Sequence, residues 1–189
     1  MPQTIFITGT SSGIGKATAL YFAEQGVDGA TLEPNAAEEC ERLMDFDTQV
    51  KLAIYRHFAE TGRGLLPADV ARLVGSDVER VLESYSRLRT QRVLALEADG
   101  VSIRMAPPFS GVPTQHIVIV DGKQYFANCA WDALGVPAAL HQPGVVHSRC
   151  EQSDEPLELV MGPDGPEPSD WLFHCLVPAA RWWDDIVFT

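Results

Sequence analysis

Two Asp-Gly pairs constrain this chain more than any other feature. Asp99-Gly100 separates Val93-Leu94-Ala95-Leu96 from the alternating Val101, Ile103 and Met105, and Asp121-Gly122 separates His116 to Val120 from Lys123 to Ala127. Asp and Gly tolerate the positive φ angles of tight turns, and Asp-Gly between apolar runs is a strong two-residue hairpin signal. Each pair therefore predicts two strands folded back on one another. A chain built this way carries antiparallel sheet, with helices placed before and after its hairpins.

The helices are legible from apolar spacing. Val50, Ile54 and Phe58 recur every four residues, which predicts an amphipathic helix ending near Thr61-Gly62. Pro67 opens a second, short helix carrying Val70, Leu73 and Val74, with Gly75 as its stop. Ser76 and Glu79 fit a capping box for a third helix, whose buried stripe is Val78, Val81, Leu82, Tyr85 and Leu88. Three helices followed by the hairpin at residues 93–105 predict a winged-helix-like domain over residues 45–106. Such folds often read DNA with the third helix, and Arg80, Arg87, Arg89 and Arg92 lie on or just after it. These arginines are expected to be a solvated face, because residues 45–106 hold 9 Lys/Arg against 9 Asp/Glu while residues 107–189 hold 3 against 11.

The formal net charge of −12 argues in the same direction, against nonspecific binding to nucleic acid or anionic lipid. No apolar run approaches the roughly 18 residues needed to span a bilayer, and no secretory signal is evident at the start. Cys40, Cys129, Cys150 and Cys175 are too scattered for a disulfide framework or a C-x-x-C zinc site. Free thiols in a reducing cytoplasm are the expectation.

Residues 1–26 read as strand, Gly-rich turn and helix, with Gly9, Gly13 and Gly15 in Gly-Thr-Ser-Ser-Gly-Ile-Gly. This segment closely resembles the opening of the short-chain dehydrogenase/reductase family. The resemblance stops at about Gly26. No second apolar strand ending in an acidic residue follows to hold a ribose. The Tyr-x-x-x-Lys pair of that family is also missing: Tyr21, Tyr55, Tyr85 and Tyr125 are followed four residues on by Gln25, Ala59, Arg89 and Cys129. NAD(P) binding is not expected, and residues 1–44 are read as a leader and linker.

Chemistry is concentrated just after the second hairpin, in Asn128-Cys129-Ala130-Trp131-Asp132-Ala133-Leu134. A spacing of three puts Cys129 and Asp132 on one face of a helix, one turn apart. A thiol at a helix N-terminus is expected to have its pKa lowered by the partial positive charge there. A carboxyl one turn away then delivers or accepts a proton at whatever the sulfur captures. The competing reading is a buried structural Cys with an Asp fixing the helix end. This helix is expected to stop near Gly135-Val136-Pro137, with strands at Val145 to His147, Leu157 to Met161 and Trp171 to Val177, and β-like character again at Ile186 to Thr189. Trp182-Trp183 reads as a core or interface pair, and Asp184-Asp185 as a solvated turn.

From about residue 45 to its end the chain resembles the alkylmercury lyase (organomercurial lyase) family. The matching stretches are Pro113-Thr114, the Asp121-Gly122 hairpin, Cys129-Ala130-Trp131-Asp132 followed by Leu134 and Pro137, and His147-Ser148-Arg149-Cys150. The resemblance implies an α+β fold, with a winged-helix-like N-terminal domain before a mixed α/β catalytic domain over residues 107–189. It also implies protonolysis of a carbon–mercury bond. Cys129 would be the mercury ligand, Asp132 the proton donor, and Phe126 and Trp131 the apolar walls of the substrate pocket. No resident cofactor is implied, and free thiols would remove the mercuric product. The family holds mercury between two thiolates. Counting forward from Leu176-Val177-Pro178, the second falls at or next to Thr189, so the resemblance implies a weakened activity, with Cys150 or Cys175 the remaining candidates. The alternatives are a noncatalytic thiol or metal sensor, or a winged-helix transcriptional regulator.

Overall fold

The computed structural model describes residues 45–162, 165–173, 175 and 177–186. The Gly-rich segment at residues 1–26, the linker after it, and Thr189 lie outside the described residues.

Three helices come first: α1 (Phe46–Thr61), α2 (Pro67–Leu73) and α3 (Val78–Thr90). Asp45 caps α1, its carboxylate accepting from the Thr48 amide at 3.0 Å and the Thr48 hydroxyl at 2.8 Å. Val50, Ile54 and Phe58 are fully buried, as their four-residue spacing predicts. The α1 chain ends at Gly62, whose φ of +67° suits glycine alone. A Cβ there would lie 2.2 Å from the Gln124 carbonyl oxygen, so a missing side chain is what lets this end sit against a strand. Pro67 opens α2, and the Asp69 carboxylate reaches back to the Leu66 amide at 3.3 Å.

The start of α3 differs from the predicted capping box. Asp77, not Ser76, is the N-cap, and its carboxylate accepts from the Arg80 amide at 2.8 Å. Ser76 is already committed, since its amide donates to Ala71 at 2.9 Å to close α2 across the left-handed Gly75. The buried stripe of α3 is Val81, Ser84, Tyr85 and Leu88. Val78, expected inside, is 40% exposed at the first turn.

The strands form one mixed-length sheet. They are β1 (Ala95–Leu96), β2 (Ile103–Ala106), β3 (Phe109–Ser110), β4 (His116–Val120), β5 (Lys123–Ala127), β6 (Gly144–Arg149), β7 (Pro156–Gly162) and β8 (Gly165–Pro166). Their order is β1-β2-β3-β5-β4-β6-β7-β8, and every neighbouring pair is antiparallel. The protein is therefore a mixed α/β fold on an antiparallel sheet. Both Asp-Gly turns appear where expected. In the second, Asp121 (φ 48°) and Gly122 (φ 71°) take the paired positive angles of a type I′ turn, and Val120 pairs with Lys123.

Alternation along β4 and β5 decides what is buried. His116, Val118, Val120, Tyr125 and Ala127 face the core, while Ile117, Ile119 and Phe126 point to the other, half-exposed face. Helix α4 (Ala130–Leu140) covers the core face with Ala133, Val136 and Pro137. It runs past its predicted stop. Pro137 lies within the helix because its ring is packed in the core, and the chain ends only at His141, in the left-handed conformation with φ 52°. The Gln142 amide donates to the Pro137 carbonyl at 3.1 Å, satisfying the last turn.

The chain after β8 departs most from expectation. Trp171 to Phe173 and Cys175 are not strand, because an apolar run becomes a strand only where a partner edge is free to pair with it. A short 3₁₀ helix, Ala179–Asp184, then carries Trp182 and Trp183. Ile186 lies in a turn.

Candidate functional site

Cys129 is the N-cap of α4, in extended conformation immediately after β5. Its sulfur accepts from the Asp132 amide at 3.5 Å, so this thiol does the work usually given to a Ser or Asp hydroxyl or carboxylate. Asp132 sits one turn on, as the spacing of three predicts, and its carboxylate accepts the Cys129 S–H. The two groups meet in a partly buried corner.

The electrostatics of that corner reverse the expected direction for the thiol. Burial pushes the Cys129 pKa up to about 11, and the Asp132 charge pushes the same way. Hydrogen bonds from the Asp132 and Trp131 amides pull it down but do not win. Asp132 is itself pushed up to about 6 by burial, with the Cys129 thiol partly offsetting the shift. At neutral pH the resting pair is thus a thiol beside a carboxylate that protonates readily. Cys150 is the opposite case. Cys150 is partly exposed, and hydrogen bonds from the Ser153 hydroxyl and the Ser153 and Gln152 amides hold its pKa below the ordinary range.

A reactivity order follows. Iodoacetamide at pH 7.5 should alkylate Cys150 at least about tenfold faster than Cys129, because the thiolate is the reacting species. Asp132→Asn should speed Cys129 by removing the adjacent negative charge. Site-resolved mass spectrometry reads both, and a Cys129 that labels first contradicts this electrostatic account.

Cys129 and Asp132 open into a cleft of about 380 Å³. Its floor is the first turn of α4 with Asn128, and Trp131 stands at its edge, 54% exposed. One wall comes from α1, through Lys51 and Tyr55, and from Arg92 and Val93 after α3. Met105 of β2 and Pro107 continue this wall. Trp182, Trp183 and Ile186, in and just after the 3₁₀ helix, complete the lining. The Tyr55 hydroxyl donates to the Val93 carbonyl at 3.5 Å, and its pKa is pushed up to about 12 by burial and by the charge on Asp132.

The aromatic side is tied to the floor. Trp131 meets Phe173 at 5.7 Å and Trp182 at 6.3 Å, the latter edge to face. The Asn128 side-chain amide donates to the Ile186 carbonyl at 3.3 Å. The Val177 carbonyl accepts from both the Trp182 indole N–H at 2.8 Å and the Cys175 thiol at 2.7 Å.

Of the four residues singled out in the sequence, Cys129, Trp131 and Asp132 converge on this cleft. Phe126 does not line it, because strand alternation turns it to the outer face of the sheet while Tyr125 and Ala127 face inward. Its place as an aromatic wall is taken by Trp182 and Trp183, which sequence reasoning read only as a core or interface pair. Lys51, Tyr55 and Arg92 were also missed. The available signal for the first two was their i, i+4 spacing on α1. Cys129, Cys150 and Cys175 are free thiols, and among the described residues no group of three or more His, Cys, Asp or Glu could hold a metal ion.

Residues 109–189 match the family model described as alkylmercury lyase. An alkylmercury lyase of Bacillus cereus is 30% identical over 120 residues, covering 62% of this chain and 53% of that protein. One from Streptomyces lividans is 37% identical over 71 residues, covering 36% and 33%. A crystal structure of the mercury-bound form of MerB2 aligns with a TM-score of 0.47 and 21% identity, covering 65% of this chain and 68% of that one. This chain spans about half the length of the Bacillus cereus relative. These matches lend no support to the short-chain dehydrogenase/reductase resemblance of residues 1–26.

Proposed function

Taking residues 109–189 as alkylmercury-lyase-like sequence, we propose that this protein cleaves carbon–mercury bonds by protonolysis. The observation that carries the reading is the thiol–carboxylate pair on the first turn of α4, facing a cleft large enough for an organic group.

Mercury is a soft cation and prefers sulfur to oxygen or nitrogen. As the Cys129 sulfur bonds to the mercury of an organomercurial cation, its S–H bond breaks and the proton passes to the Asp132 carboxylate. The elevated Asp132 pKa makes that acceptance favourable. Asp132, now neutral, returns the proton to the carbon. The electron pair of the carbon–mercury bond forms the new C–H bond, and the hydrocarbon leaves. Mercury remains divalent on sulfur, Asp132 is again a carboxylate, and nothing is oxidised or reduced. Trp131 and the facing indoles exclude water from the leaving carbon.

Cys129 is the one thiol lining the cleft among the described residues. A free thiol from solution therefore supplies mercury's second sulfur and removes the product, and no resident cofactor takes part. Such chemistry suits a reducing cytoplasm and a role in detoxification. In this reading residues 45–106 are a winged-helix-like domain that contributes one wall of the cleft instead of binding nucleic acid.

The test is benzene release from phenylmercury in excess thiol, followed by gas chromatography. Repeated turnovers are expected. Benzene no higher than in protein-free buffer would reject the lyase reading.

A further inference from the structure

Building on the lyase reading, we infer that the cleft is a receptor for an aromatic ring bearing negative charge, with Lys51 and Arg92 as the residues that read that charge. Among mercurials it would then favour aryl compounds carrying a carboxylate.

The charge distribution is the first ground. The chain is strongly acidic, at −12, and the segment that supplies Cys129, Asp132 and the tryptophans holds 3 Lys/Arg against 11 Asp/Glu. Two basic residues, half-buried Lys51 and exposed Arg92, nonetheless line the cleft, both from the preceding segment. Neither has a carboxylate partner among the described residues, whose ion pairs involve Arg72, Arg104, His147, Arg149 and Arg181 instead.

Asp132 does not serve as their counterion. Among the described residues no ion pair joins its carboxylate to Lys51 or Arg92. Lys51 is half-buried, and its Nζ lies 6.0 Å from the centre of the Tyr55 ring, so a π face supports it rather than a carboxylate. Arg92 has a left-handed backbone, φ 61°, uncommon for a residue that is neither Gly nor Asn. This conformation follows directly on the last turn of α3, where the chain turns to bring Arg92 to the cleft.

Shape supplies the ring. A volume of about 380 Å³ far exceeds what a methyl group on mercury needs. The indoles of Trp131 and Trp182 meet at 63° beside it, presenting a face and an edge for a planar group to pack against. With mercury on Cys129, a carboxylate on the ring would engage Lys51 and Arg92, and the two anchors together would fix the carbon–mercury bond against Asp132.

The decisive probe contains no mercury. Benzoate and benzamide, nearly the same shape but differing by a charge, are titrated against the full chain by saturation-transfer NMR. Benzoate should bind about tenfold more tightly, a margin typical of a charge-assisted contact. The preference should persist in Lys51→Arg and fall to within about twofold in Lys51→Gln/Arg92→Gln, as removal of both charges requires. Equal affinities for the two probes in the unaltered protein overturn the inference, as does a preference that survives in the folded double variant. The outcomes separate cleanly from those of the lyase test. Equal affinities for the two probes in an unaltered protein that still releases benzene remove this inference alone, and benzoate selectivity in an unaltered protein that releases no benzene removes the lyase reading alone.

Discussion

Asp132→Asn should capture mercury and fail to break its bond to carbon. The amide keeps the shape of the carboxylate but neither accepts the thiol proton nor returns it. Hydrocarbon release should fall by about 10²- to 10⁴-fold, the usual contribution of a positioned general acid–base group. Mercury binding to Cys129 should be retained, because it depends on the sulfur. Cys129→Ser should lose both. The pH dependence supplies a further check, with its sign set by the direction of proton flow. Asp132 must be a carboxylate to take the thiol proton, and its pKa is pushed up to about 6, so kcat/KM should rise as pH passes upward through that value. Single-turnover hydrocarbon release, run beside a mercury-binding titration, distinguishes these cases. Full release by Asp132→Asn would remove the carboxyl from the mechanism.

Phe58→Ala should be the most damaging of the core substitutions considered. Phe58 is fully buried on α1 and stacks on Phe109 of β3 at 5.6 Å, with the rings 4° from parallel. Phe109 in turn meets Tyr125 of β5 at 5.9 Å and Tyr55 of α1 at 6.4 Å. Removing the central ring opens a cavity bounded by helix and sheet alike, at a cost of about 3–5 kcal/mol. For a chain of this length that is a Tm lowered by about 10 °C or more. Phe126→Ala, on the half-exposed outer face, should cost less than half as much. Thermal unfolding followed by circular dichroism ranks the two, and a smaller effect at Phe58 would contradict the packing described.

How much of this was readable from residues alone follows the range over which each feature is determined. The Asp121-Gly122 turn was legible because two adjacent residues fix it, and so were the buried positions of α1. The Cys129–Asp132 pairing was legible because a helical turn is a local rule. The cap of α3 was misplaced by one residue, since the fate of Ser76 depends on how the preceding helix ends. Trp171 to Phe173 and Cys175 have strand-like composition, but none of these described residues pairs with a sheet edge. The direction of the Cys129 shift was missed because it depends on burial, which the residues of α4 do not reveal by themselves. The cationic wall was invisible for the same reason. Lys51 and Arg92 lie 78 and 37 positions before Cys129 in the chain, and only the folded arrangement brings the three to one cleft.

The strand order has an architectural corollary. The β4–β5 hairpin enters the sheet reversed, so α4 must carry the chain back across β4 to reach β6. The reactive pair therefore rides on a connection whose ends are both clamped, whereas Trp182 and Trp183 arrive on a separate stretch, which meets it through the Trp131–Trp182 contact and a hydrogen bond from the Asn128 side-chain amide to the Ile186 carbonyl. One wall of the cleft is thus set by a segment of the chain that neither strand end of that connection holds in place.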